Sequence, residues 1–240
     1  MSSSTDAGPV REPALLLFDI DGTLILSGGA GGRAMTRAFH AVFGHDEAFA
    51  GVHMAGRTDR FLLGAALAHA GVPDTDEAHR RFYDAYIPML EEELWQPPTR
   101  GPHTVLPGVA ALLPLIQASP GAHLALLTGN QGDAARIKLT HFGLWDFFPW
   151  GVFGDESEDR DELGRTALRR AVEHGVPASA IARAVVIGDT PQDIGTARAA
   201  GARAVAVATG SYPREVLEAA GADLVLDDLG DVERALDVLL

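Results

Sequence analysis

Ala14-Leu15-Leu16-Leu17-Phe18-Asp19-Ile20-Asp21-Gly22-Thr23-Leu24 is the stretch that decides the fold. Its first five residues form an unbroken apolar run, too short for a helix, that stops at a turn-forming Asp-Ile-Asp-Gly. Such a run reads as a strand buried on both faces, as in a parallel sheet covered by helices. Similar runs recur at 124–127, 151–153, 184–187, 204–207 and 224–226. Helical patterns lie between them. One covers 107–118, with Pro107 suited to its first position. The others are 131–142 before Gly143, 163–173 near Gly175, 193–200 before Gly201 and 215–219 before Gly221. Strand and helix in alternation predict an α/β fold, a doubly wound, Rossmann-like parallel sheet.

The interval 26–103 breaks that alternation. It shows no strand pattern but three helical ones, at 32–43, 59–70 and 76–95. In the last, Phe82, Tyr86, Met89, Leu90 and Leu94 share a face, and Glu91, Glu92 and Glu93 turn partly to water. About eighty residues are too many for a strand-to-helix loop. The expectation is an all-helical lobe, residues 26–103, inserted into a core made of 1–25 and 104–240. Gly28-Gly29-Ala30-Gly31-Gly32 suggests a flexible hinge into the lobe, and Pro97-Pro98 to Pro102 a stiff return.

At 240 residues the chain can bury one substantial core and a small accessory lobe. It has no cysteine, which excludes disulfides, thiolate zinc sites and cysteine nucleophiles. A net charge of −14 repels nucleic acid and anionic membrane, so a phosphorylated ligand needs a local site. No stretch approaches the ~20 apolar residues of a membrane span. Residues 1–8 lack the basic-then-apolar build of a secretory leader and read as a loose tail. The expectations are a cytoplasmic protein, no nucleic-acid partner and no membrane partner.

Chemistry concentrates at strand ends, where open α/β sheets build their sites. Asp19 and Asp21 follow the first strand with one residue between them. Two carboxylates in a partly dry crevice repel each other and call for a cation or a shared proton; magnesium suits oxygen ligands. Asp189 directly follows the run ending in Val186-Ile187-Gly188, and Asp193 lies four residues on, either as a helix-capping acid or as a partner in the same metal site. A third strand end gives Thr128-Gly129-Asn130. There a hydroxyl, a close backbone approach and the free N–H groups of the following helix suit an anion. Lys138 is the chain's single lysine among eighteen arginines, which favours a specific partner over a surface position.

Phe18-Asp19-Ile20-Asp21-Gly22-Thr23-Leu24, Thr128, Lys138 and Gly188-Asp189 with Asp193, in this order, resemble the haloacid-dehalogenase-like hydrolase superfamily over nearly the whole chain. The helical insert resembles the cap of phosphoglycolate-phosphatase-like and phosphoglucomutase-like members. The resemblance implies magnesium-dependent hydrolysis of a small phosphorylated metabolite. Asp19 would attack phosphorus to give an aspartyl-phosphate. Asp21 would be the acid for the leaving alcohol and then the base for water. Asp19, the Asp21 main-chain carbonyl and Asp189 would hold the metal with support from Asp193, and Thr128, Gly129, Asn130 and Lys138 would hold the phosphate. The chain departs from relatives that carry the lysine in an Asn-Lys-Pro-type loop: here 154–160 reads Gly-Asp-Glu-Ser-Glu-Asp-Arg, which leaves Arg160 as the substitute were Lys138 exposed. Arg57, Thr58 and Asp59 resemble a cap segment that faces the site; Asp59 reads equally as a helix cap, and Arg57 as the partner of a surface acid. Asp21 argues against a dehalogenase, and the absence of a cap lysine against a phosphonate-cleaving member. A sugar-phosphate mutase and a non-catalytic phosphometabolite-binding protein remain as alternatives.

Overall fold

The computed structural model describes residues 12–240; the tail expected at 1–8 lies outside the described residues. The chain opens with β1 (Ala14–Phe18) and β2 (Ile25–Ser27), then α1 (Ala30–Phe43), α2 (Asp59–Ala70) and α3 (Asp76–Leu94). β3 (His103–Val105), α4 (Val109–Ala118), β4 (Ala122–Leu127), α5 (Gly132–His141) and β5 (Gly151–Val152) follow. The last third holds α6 (Arg160–Glu173), α7 (Ala178–Ile181), β6 (Val185–Gly188) and α8 (Pro191–Ala200), then β7 (Arg203–Val207), α9 (Arg214–Ala219), β8 (Leu224–Leu226) and α10 (Val232–Leu239).

Six strands form one parallel sheet in the order β5-β4-β1-β6-β7-β8. The unbroken apolar runs are explained by burial on both faces. Leu16, Phe18, Leu126 and Ile187 face the core beneath α4, α5 and α10. Their neighbours Leu15, Leu17, Leu127 and Val186 face the core beneath α6, α7, α8 and α9. Successive residues on a strand point to opposite faces, so each layer takes every second side chain. β1 lies between β4 and β6, where the winding reverses direction. That is the switch point at which such sheets open a crevice.

The insert is helical and packs as its own cluster. Phe39, Leu63, Leu67, Phe82, Tyr86 and Leu90 from α1, α2 and α3 are buried together, and Ala134 of α5 joins them. The cap therefore rests on the helix that follows Thr128. No described helix is long and apolar enough to cross a membrane.

Several details depart from the sequence reading. β2 and β3 pair antiparallel at the two junctions of the insert, with Leu26 opposite Thr104 and Ser27 opposite His103, where no strand was expected. Three-residue strands carry too little alternation to be read locally, and each finds its partner only at the far end of the insert. The fourth helix starts at Val109 rather than Pro107, because Gly108 takes φ 80 against the Leu229 carbonyl, where a Cβ would stand 1.7 Å from that oxygen. Gly31 and Gly32 are helical, so only Gly28 and Gly29, at φ 61 and 83, form the turn into the cap. Finally, α6 begins at Arg160 rather than at 163, and α7 and α10 were not read at all; α10 buries Ala235 and Leu239 against the sheet.

Candidate active site

The register sets the site. Phe18 lies opposite both Leu126 and Ile187, so Asp19 leaves the sheet within one residue of the level at which Thr128 and Asp189 leave it. Neighbouring strands are about 4.8 Å apart, which brings three strand ends into one crevice. Carboxylate oxygens of Asp19, Asp189 and Asp193 lie within 4.8 Å of one another, and all three residues are buried. Asp193 is held by a reciprocal cap at the start of α8: its Oδ2 accepts from the Thr190 N–H at 3.0 Å and from the Thr190 hydroxyl at 2.7 Å. Both readings of Asp193, helix cap and member of the acidic cluster, describe it at once.

Arg160, first residue of α6, enters the same cluster. Its guanidinium stands 3.2 Å from Asp19 Oδ1 and donates to Asp193 Oδ1. Burial opposes its charge, but Asp193 and Asp19 outweigh that and hold its pKa above the ordinary arginine value. Burial pushes the Asp19 carboxyl up to about 6 despite Arg160, with Asp193 adding to the rise and the Thr128 hydroxyl bond opposing it. Asp189 is pushed well up by burial, then by Asp193 and Asp19. Three carboxylates against one guanidinium leave two negative charges when all are ionised. Asp189 Oδ1 is buried without a hydrogen-bond partner. Hard oxygen donors, that charge excess and the orphaned oxygen fit a divalent cation such as magnesium. Glycines make the room: a Cβ on Gly210 would stand 1.6 Å, and on Gly22 2.4 Å, from Asp189 Oδ2.

Asp21 is less enclosed than these three acids, with a side chain 40% exposed. Its Oδ2 accepts from Lys138 Nζ at 2.6 Å and from Asn130 Nδ2 at 2.8 Å. Asn130 Nδ2 also donates to Thr128 Oγ1 at 2.9 Å, and its Oδ1 accepts from Lys138 at 2.6 Å. Lys138 is therefore buried, as its composition argument required, yet it pairs with Asp21, while Arg160 stands beside Asp19. Sequence reasoning held Arg160 only in reserve. The signal that could have found it was its place in the loop where relatives carry the lysine.

The cap reaches the core through Gly56 to Asp59. The Asp59 N–H donates to the Gly129 carbonyl at 2.7 Å, and its Oδ2 accepts from the Gln131 N–H at 2.8 Å. Burial, only partly offset by Lys138, pushes its carboxyl up to about 6. Thr58, not Asp59, caps α2, accepting from the Phe61 N–H at 3.1 Å. Arg57 is exposed, with its guanidinium 4.7 Å from the Phe61 ring centre. The N–H groups at the start of α5, expected to be free for an anion, are taken: Gln131 by Asp59, Gly132 by Asp155 at 3.1 Å and Ala134 by the Gln131 side chain at 3.0 Å. The sequence could not show that a cap carboxylate and a distant loop acid would converge there.

A switch-point crevice lined with acids beneath an inserted helical lid places the chain among the capped α/β hydrolases. The model of the haloacid dehalogenase-like hydrolase family matches residues 13–201. A phosphoglycolate phosphatase of Rhodospirillum rubrum is 33% identical over 226 residues, covering 91% of this chain and 90% of that protein. Another, of Caulobacter vibrioides, is 30% identical over 236 residues, covering 95% and 92%. A solved hydrolase from Pseudomonas syringae matches with a TM-score of 0.67 at 25% identity, covering 95% of this chain and 99% of that one. The chain belongs to the haloacid dehalogenase-like hydrolase family.

Proposed function

We propose that the protein is a magnesium-dependent phosphatase that hydrolyses a small phosphate monoester through an aspartyl-phosphate on Asp19. The observation that carries this reading is the buried meeting of Asp19, Asp189 and Asp193, with excess negative charge and an unbonded Asp189 oxygen, beside the Thr128 hydroxyl. The relatives named phosphoglycolate phosphatases support the same class of chemistry.

Asp19, Asp189 and the Asp21 main-chain carbonyl would hold magnesium, with Asp193 behind them. When bound, the ion supplies positive charge to the transferring phosphoryl oxygens. Asp19 is the nucleophile: its carboxylate forms a bond to phosphorus as the ester bond to the leaving oxygen breaks. Asp21 gives that oxygen its proton and then takes one from the water that splits the acyl-phosphate. Thr128 and the Arg160 guanidinium stand where charge develops on the phosphoryl group. Lys138 and Asn130 fix the Asp21 carboxylate through its Oδ2, leaving its other oxygen for the leaving group. Residues 26–103 act as the cap, closing over a core of 1–25 and 104–240. We place the enzyme in the cytoplasm.

Release of phosphate from p-nitrophenyl phosphate, with and without magnesium, tests the reading directly. Metal-dependent turnover that vanishes in Asp19→Asn is expected. Inactivity of the wild type on that ester and on a broad panel of phosphorylated metabolites would sink it. Asp21→Asn should slow esters of poor leaving groups more than aryl esters; equal slowing would remove Asp21 as the acid.

A further inference from the structure

Asn130 is the joint of the site. Its Nδ2 donates to Thr128 Oγ1 at 2.9 Å and to Asp21 Oδ2 at 2.8 Å, and its Oδ1 accepts from Lys138 Nζ at 2.6 Å. One side chain thus ties the hydroxyl that bonds Asp19 to the carboxylate of Asp21. An amide with donor and acceptor ends both engaged has one serviceable orientation. Where the Asn130 backbone stands therefore sets where Asp21 is held.

Asp59, on the cap, grips that backbone on both sides. Its N–H donates at 2.7 Å to the Gly129 carbonyl, which belongs to the peptide unit before Asn130. Its Oδ2 accepts at 2.8 Å from the Gln131 N–H, which belongs to the unit after it. Peptide units are planar, so only the φ and ψ of Asn130 lie between the two grips. The Gly154 N–H adds a bond to the Asn130 carbonyl at 2.7 Å. Cap and loop meet closely: a Cβ on Gly129 would stand 2.2 Å from the Arg57 carbonyl oxygen. Both neighbouring helices carry caps of their own, the Thr58 side chain for α2 and the Gln131 side chain for α5. The Asp59 carboxylate is left for the turn around Asn130.

Resting on the phosphatase reading above, we propose that Asp59 is a positioning residue for the leaving-group acid: through Asn130 it holds Asp21 where the departing oxygen takes its proton. A misplaced acid costs most where the departing oxygen needs that proton most.

Phenyl phosphate and p-nitrophenyl phosphate, alike in shape but unequal in that need, test this on the full chain with magnesium. kcat/KM reads formation of the aspartyl-phosphate, before water enters. In Asp59→Ala the value for phenyl phosphate should fall about tenfold or more, and that for p-nitrophenyl phosphate less than about threefold. Asp59→Asn keeps an oxygen for the Gln131 N–H and should restore the wild-type ratio. The ratio is internal to each preparation, so a partly unfolded variant still reports it. Asp59→Ser, one bond shorter in reach, stands in should Asp59→Ala not fold. Equal slowing of the two esters, no slowing, or Asp59→Asn no better than Asp59→Ala would overturn the inference alone. Where the wild type accepts only metabolites, acetyl phosphate and an alkyl phosphate among them give the same comparison. No phosphate release from either ester or from any metabolite would remove the phosphatase reading, and the inference with it.

Discussion

Arg160 takes a full charge into a place shielded from water, where Asp19 and Asp193 are its compensation. Removing one member of a buried ion cluster strands the others, at a cost of about 3–5 kcal/mol. Arg160→Met should therefore lower the stability of the metal-free protein by that order in urea denaturation, with the loss reduced when magnesium is present. Asp19→Asn should do the opposite in chelator. It removes one of three crowded carboxylates, so the melting temperature should rise even as turnover disappears. A lower melting temperature for Asp19→Asn would contradict the charge excess on which the metal assignment rests.

At the scale of elements, the loop after β7 shapes the metal cradle. Thr209 Oγ1 donates to the Gly22 carbonyl at 2.5 Å, and Gly210 lies against Asp189. Gly210→Ala should displace the Asp189 carboxylate and raise the magnesium concentration needed for half-maximal activity. An unchanged magnesium titration would show that the loop yields without moving Asp189. The strands and most helices around this cradle were legible in the sequence, because burial on both faces leaves unbroken apolar runs and glycines mark helix ends. Asp19, Asp21, Thr128, Asp189 and Asp193 were legible for a related reason: residues just past such runs stand at the sheet's carboxyl edge. What escaped reading depends on distant pairing. The β2–β3 ladder joins two ends of the insert, Asp59 bonds across to α5, and Arg160 finds its acids on two other elements. None of these leaves a local pattern.

For the whole molecule, the buried acids couple stability to pH. Asp19 rises from an ordinary value of 3.8 to about 6, as does Asp59. A carboxyl with a raised folded-state value holds its proton more tightly folded than unfolded. Its stabilising contribution is complete below about pH 4 and is lost as pH climbs through about 6. The metal-free protein should therefore lose stability between those values. Magnesium binds the ionised carboxylates, so its effect on melting temperature should be larger at pH 8 than at pH 5. Thermal denaturation at both pH values, with magnesium and with chelator, checks the sign; a larger magnesium effect at pH 5 would contradict it.

The clamped amine of Lys138 also offers a chemical reporter. As the only lysine side chain, 6% exposed and bonded to Asp21 and Asn130, it is shielded from acylating reagents in this arrangement. Its rate of labelling, read by mass spectrometry of the peptide that contains it, would report at a single natural atom how often the contacts around Lys138 part.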